Sequence, residues 1–183
     1  MELKGLVQSP SRGVWCVPGD PRFTRLSLVP YLAGGHQAYV SFLTALHLHG
    51  LIEQIPQIVY AATTGPTRLK KTSLGTFSFH RIDPAFFKGY DWYGERRDFL
   101  IATPEKALVD SLYVSSRKAR HFAFFPEIDF GSGFQLGRAM EWIDEIRDPM
   151  IQKYCRERLL ELAGRSPGLP LPVMTDGERS EAT

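Results

Sequence analysis

Thr103-Pro104-Glu105-Lys106 is the strongest local constraint in the chain. Threonine is a good N-cap, proline at the first helical position forfeits no hydrogen bond, and a glutamate in the first turn faces the positive end of the helix dipole. A helix therefore begins at Pro104, with Ala107, Leu108, Leu112 and Tyr113 as its buried stripe. Residues 97–102 just before it are β-prone. The chain thus runs from a strand directly into a helix.

The surrounding pattern fixes the class. Residues 58–62 form an apolar run of strand length. Residues 75–82 alternate at period two, with Phe77, Phe79 and Arg81 on one side and Thr76, Ser78, His80 and Ile82 on the other. Residues 39–49 fit a buried helix capped by Ser41 and stopped by Gly50, and residues 134–147 fit a second, amphipathic one. Asp148-Pro149 opens a last helix that stops at Gly164. At the front, residues 3–7 and 14–17 read as two short strands around the polar turn 8–13, a hairpin shaped like the wing of a winged helix. The expected fold is α+β: a small mixed sheet packed with helices, preceded by a remnant wing-like β-hairpin. The expected organisation is a hairpin over residues 1–20, an α/β domain over 21–164 and a disordered, proline-interrupted tail over 165–183.

Composition removes whole classes of function. With 183 residues there is room for one compact domain and a small appendage. Lys and Arg number 22 against 20 Asp and Glu, a net charge of +2, which excludes a histone-like surface that is basic all over. No run approaches the ~18 apolar residues of a membrane span, and mean hydropathy is −0.18. Met1-Glu2-Leu3-Lys4-Gly5 has no apolar signal core, and the two cysteines, Cys16 and Cys155, build no disulfide framework. A reducing, cytoplasmic setting without membrane association is expected.

Charge is nonetheless uneven. Arg68, Lys70, Lys71 and Arg81 fall in a stretch without a carboxylate, whereas residues 127–148 are mainly acidic. A positive loop is suited to phosphates or an acidic partner, and Arg12 in the hairpin turn joins these residues as a contact candidate. No metal set is expected. His47 and His49 lie two apart on the expected helix, which points them to different sides, and His36, His80 and His121 lack acidic or cysteine neighbours at ligand spacing. No serine stands in a glycine-flanked elbow that follows a strand, and Gly131-Ser132-Gly133 lacks the strand. Asp83, Asp91, Glu95, Asp98 and Glu105-Lys106 are raw material for a divergent metal-dependent nuclease, but in no recognisable spacing. The aromatic-rich stretch from Phe86 to Phe99 divides between core and a protein–protein face, so a stand-alone interaction module is a further alternative. The expectation is a protein without a catalytic residue, metal or cofactor.

Four blocks together carry a family resemblance. They are Tyr39-Val40-Ser41 through Gly50-Leu51-Ile52-Glu53-Gln54-Ile55-Pro56, then Val59-Tyr60-Ala61-Ala62-Thr63, Gly75-Thr76-Phe77-Ser78-Phe79, and Ile101-Ala102-Thr103-Pro104-Glu105-Lys106-Ala107-Leu108-Val109-Asp110. In order and spacing, over roughly residues 13–120, they resemble the AbiEi-type antitoxins of bacterial abortive-infection toxin–antitoxin systems. The resemblance implies an operon regulator whose α/β domain counteracts a nucleotidyltransferase-type toxin, and whose winged helix-turn-helix reads operator DNA. In that family the recognition helices precede a segment like Leu6 to Val17, where this chain begins. The resemblance therefore implies toxin counteraction more directly than operator binding.

Overall fold

The computed structural model describes residues 7–116, 122, 125–131 and 133–165. The fold is α+β, with one six-stranded mixed sheet and a separate two-stranded hairpin. The hairpin pairs β1 (Gln8–Ser11) with β2 (Val14–Cys16). Its first strand falls on the residues expected to be the turn. Turn chemistry explains the shift: Ser11 opposes Val14, leaving Arg12-Gly13 as a two-residue connection, and Gly13 at φ 77° supplies the left-handed conformation that such a turn requires. Of the strand expected at 3–7 only Val7 lies within the described residues, as does only Arg165 of the expected tail.

A 3-10 turn (Arg25–Leu28) and the short helix α1 (Val29–Leu32) lead into β3 (Ala38–Val40), then α2 (Phe42–Leu48). Tyr39 and Val40 thus belong to a strand rather than to the expected helix. β3 lies between β4 (Ile58–Thr63) and β8 (Leu100–Ala102), and the sheet recruits its β-branched and aromatic residues before the helix can start. The switch is abrupt: buried Phe42, the first helical residue, has φ 57°. Ser41 stands at the N-cap but makes no capping bond.

The strand order is β5-β6-β4-β3-β8-β7, with β5 (Arg68–Thr72) and β7 (Tyr90–Trp92) at the edges. β6 (Gly75–Arg81) inserts between β4 and β5, parallel to β4 and antiparallel to β5. From the sequence, Arg68 to Lys71 are expected in a loop. Their polar composition hides a strand that forms on the template of β6, through a turn in which Thr72 Oγ1 accepts from Leu74 N at 3.1 Å. β7 was also unforeseen, and β8 is shorter than the expected 97–102, since Arg97 has φ 54° in a turn.

Paired residues share a face of the sheet. Phe77, Phe79, Val59, Ala61, Val40 and Ile101 therefore line one side, covered by the 3-10 turn and α1. Tyr39, His80, Ala62 and Ala102 line the other, against α2 and α3 (Pro104–Ser115). Helix α3 starts as its signals demand, with Thr103 Oγ1 accepting from Lys106 N at 3.3 Å. It shows more than a stripe, however. Every residue from Glu105 to Ser115 is buried, because α2, β8, α4 (Leu136–Asp144) and α5 (Pro149–Gly164) all pack on it. Asp148 caps α5 by accepting from Met150 N at 2.9 Å. No described helix is long and apolar enough to cross a membrane.

Candidate functional site

Two polar regions stand out, and they differ in access to solvent. The first is sealed. Tyr39 on β3, Ser41 after it, and Lys106 and Asp110 one turn apart on α3 meet where the sheet centre touches the buried helix. Tyr39 OH donates to Asp110 Oδ2 at 2.9 Å and Ser41 Oγ donates to the same oxygen at 2.8 Å. Lys106 Nζ donates to Asp110 Oδ1, and to Tyr39 OH at 3.3 Å. The ammonium also lies 3.7 Å from the centre of the Phe86 ring, a cation–π contact strengthened by desolvation. Both charged side chains are fully buried.

Burial dominates the electrostatics of this cluster. It pushes the Tyr39 phenol well above its ordinary pKa, and the Asp110 charge adds to that. It pulls Lys106 down, while the Asp110 carboxylate pulls it back up. The Asp110 oxygens are taken by three donors, and no solvent reaches the pair. The arrangement joins helix to sheet; it offers no open position for a reactant. The cap and the apolar stripe of this helix are expected from the sequence; the network is not among those expectations. The available signal was Lys106 and Asp110 at i,i+4 in an otherwise apolar helix, where two charges must pair to be buried.

The second region is the edge strand β5, with the residues expected to make contacts. Arg68 is half-buried and committed to the fold. Its Nη2 donates to Leu32 O at 2.8 Å, and its guanidinium lies 5.5 Å from the Phe79 ring centre. Gly34 permits this: at φ 67° it has no Cβ, and one placed there would fall 2.7 Å from Arg68 Nη2. Lys70 shares the Arg68 face of the strand, whereas Lys71 is exposed on the opposite face beside Leu69. Leu69 is itself 57% exposed. Arg25, near Gly75, adds a cation at the turn between β5 and β6.

Among the described residues no carboxylate forms an ion pair with Arg25, Lys70 or Lys71. Glu53 is the single carboxylate between Pro21 and Ile82, so half of the domain is short of negative charge. Arg81 is exposed at the end of β6, and its N–H donates to Thr67 Oγ1 at 2.9 Å. Arg12 sits apart, exposed at the tip of the hairpin. The structure thus brings Arg68, Lys70, Lys71 and Arg81 onto one antiparallel pair and leaves Arg12 on another sheet.

Several of the remaining candidates have structural partners. Glu105 Oε1 accepts from Gln135 N at 3.0 Å, tying the start of α3 to the start of α4. His47 Nδ1 lies 3.3 Å from Ile52 O, and His49 Nε2 lies 2.8 Å from Ala102 O. In the acidic segment, Asp144 pairs with Arg156 and Glu145 with Lys88. Among the described residues no group of three His, Cys, Asp or Glu side chains is placed to hold a metal ion. His121 and Ser132 lie outside the described residues. Cys155 is buried, which pushes its thiol up to about 12, while Cys16 is half-buried. Within the aromatic stretch Phe86 and Phe99 are core, but Trp92 is 47% exposed. Tyr31 and Trp15 are also exposed, beside a cleft of about 750 Å³ between hairpin and α1.

Comparison with known proteins adds no relative: no family model, no curated protein and no solved structure matches the chain.

Proposed function

We propose that this protein is an antitoxin-like regulator that acts by binding rather than by catalysis, and that it counteracts a nucleotidyltransferase-type toxin in the cytoplasm. One observation carries the reading. Among the described residues, half-buried Lys70 and exposed Lys71 stand without carboxylate ion-pair partners on an edge strand of the sheet, while the polar constellation of Tyr39, Ser41, Lys106 and Asp110 is sealed in the core. A surface built this way recognises an acidic partner. The resemblance of four sequence blocks to AbiEi-type antitoxins supplies the class of partner. Co-expression with a nucleotidyltransferase-type toxin encoded beside it tests the proposal: growth is restored if the reading holds, and toxicity that persists with soluble protein present refutes it.

Operator contact is a second reading, favoured by the exposed position of Arg12 at the hairpin tip. Binding to duplex DNA of the promoter region then weakens steeply with salt, and Arg12→Glu weakens it further. No binding at low salt would remove this reading.

A further inference from the structure

We infer that β5 takes up one more strand: its free edge accepts an extended acidic segment of a partner protein, which extends the six-stranded sheet. The inference rests on β5 being the contact surface proposed above, and goes further by assigning the mode of contact and the chemistry of the segment. Among the described residues β5 is hydrogen-bonded on one side only, to β6. An edge strand carries backbone donors and acceptors that another strand can satisfy.

Charge selects the occupant. Lysines on an edge oppose pairing with a second copy of the same edge, because like charges then face each other. The opposite edge of another copy, β7, is only three residues long and carries the single acid Asp91. An acidic extended segment meets neither obstacle, and the region from Pro21 to Ile82 contributes only Glu53 to repel it.

The alternation of β5 then specifies a pattern. Lys70 and Lys71 are consecutive and point to opposite faces, so an incoming strand needs two consecutive carboxylates to meet both. Leu69 precedes them, exposed on the Lys71 face, so the residue opposite Leu69 is apolar. The segment reads acid-acid next to an apolar residue, in the order set by strand direction.

The test uses the full chain and the end-blocked peptide Thr-Val-Glu-Glu-Val-Thr, which satisfies the pattern in either direction, with Thr-Val-Lys-Lys-Val-Thr as its control. Amide hydrogen exchange and titration are the readouts. The inference expects the Glu peptide to slow exchange at Arg68–Thr72 without protecting β7, and the Lys peptide to do neither. The double variant Lys70→Glu/Lys71→Glu is expected to lose about tenfold or more in affinity for the Glu peptide and to gain affinity for the Lys peptide. Equal binding of both peptides by the unaltered chain, protection elsewhere, or none at Arg68–Thr72 overturns the inference, whatever the variant's folding. So does self-association through β5, or an oligonucleotide that protects β5 where the Glu peptide does not. Growth rescue without β5 protection sinks this inference and leaves the functional proposal standing, while protection without rescue does the reverse.

Discussion

The phenol of Tyr39 donates to the carboxylate of Asp110 at 2.9 Å, joining residues 71 apart in the chain. Through this bond the central strand of the sheet is tied to the helix packed on every side. Ser41 and Lys106 complete the network, and the burial of a charged pair is tolerated because every donor finds an acceptor.

Removing one member is therefore expensive. Asp110→Ala leaves the Lys106 ammonium buried without a counter-charge, and is expected to cost about 3–5 kcal/mol of unfolding free energy. Urea denaturation measures this. Lys106→Met and Asp110→Ala together are expected to cost at least about 1 kcal/mol less than the sum of the two alone, because they act on one network. Additive costs would show that the pair is not coupled.

Arg68 and its neighbours on β5 differ in what they hold. Arg68→Ala removes the bond to Leu32 O and the contact with Phe79, and is expected to lower stability by about 1–3 kcal/mol. Lys70→Glu and Lys71→Glu touch no such partner and are expected to stay within about 0.5 kcal/mol of the unaltered protein. Thermal and urea unfolding of the three variants check the contrast. Destabilisation by the lysine substitutions would mean that they, too, hold the fold.

Cys155 predicts an alkaline weakening. Its thiol is held at about 12 in the folded protein against 9.0 when unfolded, with burial as the cause. Between these values the folded state binds more protons than the unfolded state. The stabilising term is thus complete below pH 9 and is lost as pH rises through the folded value. At pH 10 the loss is on the order of 1 kcal/mol. Tyr39, raised in the same way, adds to this loss, while the lowered Lys106 opposes it. The comparison of Cys155→Ala with the unaltered protein isolates the thiol: the variant is expected to show the smaller decline from pH 8 to pH 10. Parallel curves would contradict the assignment.

Legibility in the sequence follows the range of the forces involved. The α3 start at Thr103-Pro104, the α5 start at Asp148-Pro149 and the alternation of β6 are set by neighbouring residues, and each stands where local chemistry puts it. Tyr39 and Val40 went to the sheet because β4 and β8 flank them, a fact of tertiary pairing that no local pattern carries. β5 escaped notice for the same reason, since Arg68-Leu69-Lys70-Lys71 becomes a strand only beside β6. The basic residues were visible as charge. That Arg68 latches the fold depends on Leu32, 36 residues away, whereas Lys70 and Lys71 have no ion-pair partner among the described residues.

The proposed function places binding on Lys70 and Lys71 of β5. Growth of cells that co-express a toxin of the proposed nucleotidyltransferase type with either the unaltered protein or Lys70→Glu/Lys71→Glu is the most direct test. The unaltered protein is expected to restore growth, and the equally soluble, equally stable variant is not. Equal rescue by both, or rescue by neither with soluble protein present, would contradict it.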